Sequence, residues 1–422
     1  MATLLIQNGR VIDPSQNLDR VTNLLIRDGR IAGLDVPANG QDQLIDATGK
    51  IVSPGLIDIH VELREPGGEE DETIETGTAA AIAGGFTSIA CMPNTDPPID
   101  TQAGVEFVRQ KAARARNCNV FVIACVSNNR EGKELAELGS LCEAGAVGFS
   151  DGTRPIHNAE LLRRALEYCL MFDKPILDHP EEPELTRGGV MHEGRTSLVL
   201  GLDGMPAEAE DVATGRDLRL AEATGGRLHL MNISSAGSIE LIRRAKGRGL
   251  RVTAAVCVPN LSLNDEQLRS FDSNCKVNPP LRSQDHVDAC IAGLADGTID
   301  VIASGHAPRA SEKKMLELDA APFGMINLET ALALVITKLI EPGHLDWPTA
   351  LAKLTINPAR VLGLQKGTLQ IGADADVTII DPRARWTVDP HRFRSKSSNT
   401  PFAGYQLHGR AQHVIVGGDV KL

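Results

Sequence analysis

Between about residue 51 and residue 308, short apolar runs alternate with amphipathic segments rich in Ala and Leu, the rhythm of β-strands joined by helical crossovers. Eight such runs occur, at 51–61, 88–94, 120–126, 146–150, 175–180, 227–234, 251–258 and 301–308. The helical patterns between them include 158–173, with Leu161, Leu162, Ala165, Leu166 and Cys169 on one side, and 238–246, with Ile239, Leu241, Ile242 and Ala245. Eight parallel strands with intervening helices close into an α/β fold of the (β/α)8 TIM-barrel type, whose chemistry gathers at the C-terminal strand ends. Every polar cluster singled out below lies at such an end.

The flanks are patterned differently. Segments 4–14, 23–34 and 43–52 alternate apolar and polar residues around Asn-Gly, Asp-Gly and Thr-Gly turns, which predicts hairpins. The same alternation returns at 368–382 and 412–422, after a helical stretch that ends near Leu364. Neither flank has enough strands to stand alone. The expected organisation is therefore a barrel over 53–364 and one small β-sandwich assembled from 1–52 and 365–422.

Composition narrows the function classes. The 422 residues are 42% hydrophobic but only 3% aromatic, so a large core is built mainly from aliphatic side chains. Lys plus Arg total 43 against 55 for Asp plus Glu, a formal charge of -12 with no basic run, which argues against nucleic acid or an anionic membrane as partner. The opening 1–6 has no cationic stretch before an apolar core, and no apolar segment approaches membrane-spanning length. Cys91, Cys118, Cys125, Cys142, Cys169, Cys257, Cys275 and Cys290 lie scattered in apolar segments without C-x-x-C spacing. They read as reduced core residues of a cytoplasmic protein.

The most informative stretch is 58–67, Asp-Ile-His-Val-Glu-Leu-Arg-Glu-Pro-Gly. Residues i and i+2 of a strand share a face, so His60 and Glu62 stand where a His-x-His pair would hold a metal ion. Glu can also ligate zinc, so the pair alone leaves metal binding open.

In this stretch, in Asn8–Pro14, Cys91–Thr95, Val277–Arg282, Asp300–Pro308 and Thr355–Arg360, the chain resembles the dihydroorotases of the amidohydrolase superfamily over essentially its whole length. That resemblance implies a barrel flanked by a β-sandwich, with zinc at the barrel mouth, hydrolysing or closing a cyclic amide in pyrimidine biosynthesis. Transferred by position, the zinc site is incomplete. His60 and His179 match, but Glu62, Gly152, Asn232 and Gly305 stand at the other four ligand positions. Gly305 also replaces the aspartate that serves as general base. Asp151 is offset by one residue from its ligand position, and His306 occupies the alternate phase of its strand. Arg64, Asn94 and Asn278 match substrate-binding positions; Asn260 and Arg309 replace two histidines. Arg64 has a competing expectation, an ion pair with Glu62 or Glu65.

The resemblance with four altered ligands predicts no catalytic residue, no bound cofactor, and a non-catalytic homologue acting as a structural partner of aspartate carbamoyltransferase, itself a homo-oligomer. The alternative is an active dihydroorotase or other cyclic-amide hydrolase with an altered metal site, binding zinc through His60, Glu62, His179 and Asp151.

Overall fold

The computed structural model describes residues 3–37 and 43–422. Met1 and Ala2, which open the run read above for a leader segment, lie outside the described residues. The first flank supplies β1 (Thr3–Asp13), β2 (Leu18–Arg27), β3 (Arg30–Leu34), β4 (Gln43–Asp46) and β5 (Ile51–Pro54). The barrel strands β6 (Leu56–Val61), β7 (Phe86–Cys91), β8 (Asn119–Ala124), β9 (Ala146–Phe149) and β10 (Ile176–Asp178) follow. A short ribbon of β11 (Met191–His192) and β12 (Gly204–Met205) precedes the remaining barrel strands, β13 (Leu228–Leu230), β14 (Val252–Cys257) and β15 (Val301–Ala303). The second flank adds β16 (Val377–Thr387), β17 (Gln406–Val416) and β18 (Asp419–Val420).

The flank strands join in one sheet in the order β18-β17-β16-β5-β1-β2-β3, with β4 also on β1. Its core includes Leu4, Val11, Leu24, Ile31, Val377 and Ile415. The run expected as a single strand over 51–61 is two strands. The chain leaves the flank sheet at Gly55, where an added Cβ would lie 2.0 Å from Thr87 Oγ1, so only glycine passes there. The amide of Gly55 donates to Asp376 O at 2.8 Å, which ties the changeover to the second flank.

The barrel order is β6-β7-β8-β9-β10-β13-β14-β15, and a parallel bridge between Val61 and His306 closes it. Ile57, Ile59, Ala90, Met92, Ile123, Leu177, Met231, Ala255 and Val301 form one cluster through it, while a second cluster lies between strands and helices. Small side chains suit this packing: the first helix, Ile74–Gly84, brings Gly84 so close to the backbone of Leu328 that a Cβ would lie 2.0 Å from its carbonyl oxygen. All eight cysteines are free, seven of them buried and Cys142 partly so. Among the described residues no helix is long and apolar enough to cross a membrane.

Strand β6 is irregular. Its pairing with β7 slips by one residue between Asp58 and Val61, a β-bulge. Below the slip Ile57 and Ile59 belong to the apolar cluster; above it His60 and Glu62 line a cavity at the barrel mouth. The buried Asp58 carboxylate accepts from His60 N at 3.0 Å and from Ser304 N at 3.2 Å. Asp58 therefore serves amides on both the first and the last barrel strand.

A strap from the second flank, residues 394–400, crosses the barrel rim. Lys396 N donates to Glu72 at 3.0 Å and Ser397 Oγ to Asp71 O at 2.6 Å, while Asn399 Oδ1 accepts from Arg309 N at 3.1 Å. The strap is anchored at its start by Glu329, which accepts from Arg394 N at 2.7 Å and Ser395 N at 3.1 Å. Burial, with nearby Glu72 in support, pushes the Glu329 carboxyl up to about 7 against those two amides. An acid raised above its ordinary value of 4.5 favours the folded state when protonated, so this contribution is present below pH 4.5 and lost as pH rises through 7. Glu329→Gln can keep the amide contacts without the charge. It is expected to stabilise the protein at pH 8 by on the order of 2 kcal/mol and to change little at pH 4.5, measured by thermal melts at both values. Equal melting shifts at the two pH values would contradict this account.

Candidate active site at the barrel mouth

The C-terminal strand ends surround a cavity of about 330 Å³ lined by His60, Glu62, Asn232, Asn278, Gly305 and Arg309, among others. At the end of β6, Glu62 N donates to His306 O at 2.9 Å, which holds the carboxylate against the seam of the barrel. Glu62 forms a buried ion pair with Arg64. Burial would raise the Glu62 carboxyl, but Arg64, Arg309 and His60 outweigh it and keep the group below its usual range. Arg64 has φ +60° and donates from Nε to Pro308 O at 3.2 Å, so its guanidinium is committed to the local network. The expectation of a local ion pair is the arrangement present, with Glu62 rather than Glu65 as partner.

His60 is lowered, first by burial and then by His179, against the pull of Glu62. Its Nδ1 is buried and has no hydrogen-bond partner among the described residues. His179, at the end of β10, is raised: burial opposes its charge, but Glu181, bonded to Nε2 at 3.1 Å, prevails. Glu181 in turn is held at about 2 despite burial, by His179, Thr186 and Asn278, whose Nδ2 donates at 2.7 Å. The two imidazoles thus differ: His60 is disposed to be neutral and His179 to carry a proton.

Three of the altered ligand positions share one backbone feature. Gly152, Asn232 and Gly305 have φ of +68°, +56° and +64°, the left-handed region that glycine and asparagine tolerate best. A Cβ on Gly305 would lie 2.8 Å from Cys257 Sγ. Asn232 sits between Cys257 Sγ, 3.0 Å from its Oδ1, and His179 Nδ1, 3.4 Å from its Nδ2. Asp151 turns its carboxylate away to Val126 N at 3.0 Å and Ser127 N at 3.1 Å. His306 likewise points out of the cavity: its Nδ1 accepts from Asn327 N at 3.3 Å, and its Nε2 lies 3.4 Å from Glu72.

These residues do not fit the zinc centre that the resemblance implies. Among the described residues no group of three or more His, Cys, Asp or Glu side chains is arranged to hold a metal ion. Glu62 is engaged by Arg64, His179 by Glu181 and Asp151 by the β8 loop. Of the expected substrate contacts, Asn278 lines the cavity, whereas Arg64 and Asn94 do not and instead act on the Glu62 carboxylate. Asn260 lines it too but donates to Pro280 O at 3.1 Å.

Sequence reasoning overlooked Glu181, which i, i+2 spacing from His179 could have flagged. It also overlooked Cys257 and Arg130. No local signal marks Arg130, since it belongs to the loop after β8 and reaches Gly152 only through the fold.

A family model described as Dihydro-orotase-like matches residues 49–238, and one described as Amidohydrolase family matches 323–420. The dihydroorotase of Pelotomaculum thermopropionicum is 52% identical over 99% of this chain and 98% of its own length. The putative dihydroorotase of Rhodopirellula baltica is 50% identical over 99% of this chain and 92% of its own, and the dihydroorotase of Acetivibrio thermocellus 45% over 99% and 98%. Among solved structures, the L-hydantoinase (dihydropyrimidinase) of Arthrobacter aurescens superposes with a TM-score of 0.89 at 25% identity, covering 100% of this chain and 96% of that one. The D-hydantoinase (dihydropyrimidinase) of Thermus sp. gives 0.82 at 25%, covering 99% and 94%.

These relatives overturn the expectation of a non-catalytic homologue, and they lend no support to a structural-partner role beside aspartate carbamoyltransferase or to an absence of catalytic residues and cofactor. Counting altered ligands measured the loss of one inherited arrangement. It missed the cavity, which is lined by the His60 imidazole, the amides of Asn232, Asn260 and Asn278 and the Arg309 guanidinium. The chain belongs to the dihydroorotase family of amidohydrolase enzymes.

Proposed function

We propose that this chain interconverts dihydroorotate and N-carbamoylaspartate at the barrel mouth. What carries the reading is the name dihydroorotase on relatives that are 45% and 52% identical over 99% of the chain. The cavity supports it: its volume of about 330 Å³ suits a single small ring, and it joins the Arg309 guanidinium to side-chain amides and the His60 imidazole.

In the opening direction, water adds to the ring amide carbonyl, the ring C–N bond breaks, nitrogen gains a proton and a new carboxylate forms. The unpartnered Nδ1 of neutral His60 suits proton uptake from the attacking water. The His179–Glu181 pair holds a proton directly behind Asn232, which lines the cavity, as a source for the leaving nitrogen. Asn278 is oriented by Glu181 and presents its unpartnered Oδ1 near the cavity, suited to a ring N–H. Because the donor set does not fit zinc, no step is assigned to a metal ion.

The purified chain is expected to open dihydroorotate, and His60→Ala to lower kcat/KM by about 100-fold without shifting the melting temperature by more than a few degrees. No dihydroorotate turnover by the unaltered chain, or faster opening of hydantoin or dihydrouracil, would remove this reading.

Restoring the inherited aspartate should fail. Gly305→Asp is expected to destabilise by about 1 kcal/mol or more through its left-handed backbone, and to crowd Cys257. Thermal melts of the variant should show the loss, and adding Cys257→Ala should recover part of it. A Gly305→Asp protein as stable as the parent would contradict the geometry.

A further inference from the structure

The carboxylate ligand expected at Gly152 has been replaced by more than an absence. A Cβ on Gly152 would lie 3.2 Å from Arg130 Nη2 and 3.3 Å from Asn94 Cβ. The end of the Arg130 side chain therefore stands over the Gly152 Cα, in the space where any side chain at that strand end would begin. Arg130 is fixed there by Nε, which donates to Asp151 O at 2.8 Å, and by the loop backbone, whose own φ is +58°. It reaches this point from a rim cleft that it lines with Arg154, His157 and the Lys133–Glu131 ion pair. Among the described residues no carboxylate forms an ion pair with it, because the Asp151 carboxylate is turned to Val126 and Ser127.

The consequence is a reversal of charge. Glu62 is the acidic group lining the cavity, and Arg64 and Arg309 both act on it, with Arg130 within its electrostatic reach. Arg309 also lies 3.5 Å from Asp71, but Asp71 is shared with Lys313 at 2.9 Å. Three guanidinium groups thus bear on the carboxylate that lines the cavity.

We infer that Arg130 is a substrate-binding residue that holds the carboxylate created when the ring amide opens, so that guanidinium charge acts where the inherited site would use a metal. A planar guanidinium can take a carboxylate through two parallel N–H donors, and only the open-chain form carries this second carboxylate. The inference rests on the proposed dihydroorotate reaction and goes beyond it, since that reading requires no role for Arg130.

The test uses two ligands that the site cannot turn over: N-acetylaspartate, an open-chain dicarboxylate, and orotate, a ring with one carboxylate. Affinities are measured by calorimetry on the full chain treated with EDTA, then again with one equivalent of zinc. The unaltered chain is expected to bind both ligands in EDTA. Arg130→Met should weaken N-acetylaspartate roughly tenfold or more and orotate less than threefold, with Arg130→Lys intermediate. Gly152→Asp, which places a carboxylate against Arg130, should reproduce the selective loss and should not gain from zinc. Melting temperatures near that of the parent would exclude unfolding as the cause.

Unchanged N-acetylaspartate affinity in Arg130→Met, equal loss of both ligands, or binding that needs zinc would overturn the inference. In those cases dihydroorotate turnover by the unaltered chain would leave the proposed function standing. An unaltered chain that neither binds these ligands nor turns over dihydroorotate would fail both.

Discussion

The barrel mouth depends on one buried carboxylate. A bulge in β6 is required to bring His60 and Glu62 to the cavity, and a bulge leaves strand amides without their regular partners. Asp58 accepts from one of them, His60 N, and also from Ser304 N on the strand that closes the barrel. Burial lifts this carboxyl to about 6, opposed by the groups of Ser304 and His60 that bond it. The side chain that shapes the first strand end therefore also locates the last, where Gly305 and Arg309 follow. Glu62 N, bonded to His306 O, strengthens the same seam.

Above that seam the site is organised by pairing rather than by convergence on a single ion. Glu62 faces Arg64, His179 faces Glu181, and Asn232 lies between His179 and Cys257. The charges of Glu62 and His179 are thereby met locally, which low-dielectric surroundings demand. The left-handed backbone at Gly152, Asn232 and Gly305 belongs to the same arrangement: it accepts residue types with little steric demand and lets Arg130 and Cys257 close over the strand ends.

Much of the architecture was legible in the chain. Short apolar runs between helical patterns mark most barrel strands to within a few residues, because burial on both faces leaves little freedom in those runs. The first strand was misjudged because the continuous apolar run 51–61 conceals a changeover at Gly55, which is set by close approach to Thr87. In the site, the ligand positions came from the resemblance, and strand phase alone set Asp151 and His306 apart from them; both side chains are bonded away from the cavity. Spacing could not reveal that Glu62 would be claimed by Arg64, since that pairing depends on a positive φ at Arg64. Nor could it reveal Arg130, whose relation to Gly152 arises between two different strand ends. Altered residues were read as subtraction, whereas the fold had filled the space.

The strap at 394–400 has a bearing on how the protein comes into being. These residues follow every barrel strand in the chain, yet they hold Glu72, Asp71 and Arg309 at the rim. On the ribosome the barrel strands emerge long before this segment does. A nascent chain can thus carry all eight barrel strands while the wall of its cavity is still unfinished, and the site matures only as this later stretch of polypeptide arrives and is drawn across the mouth.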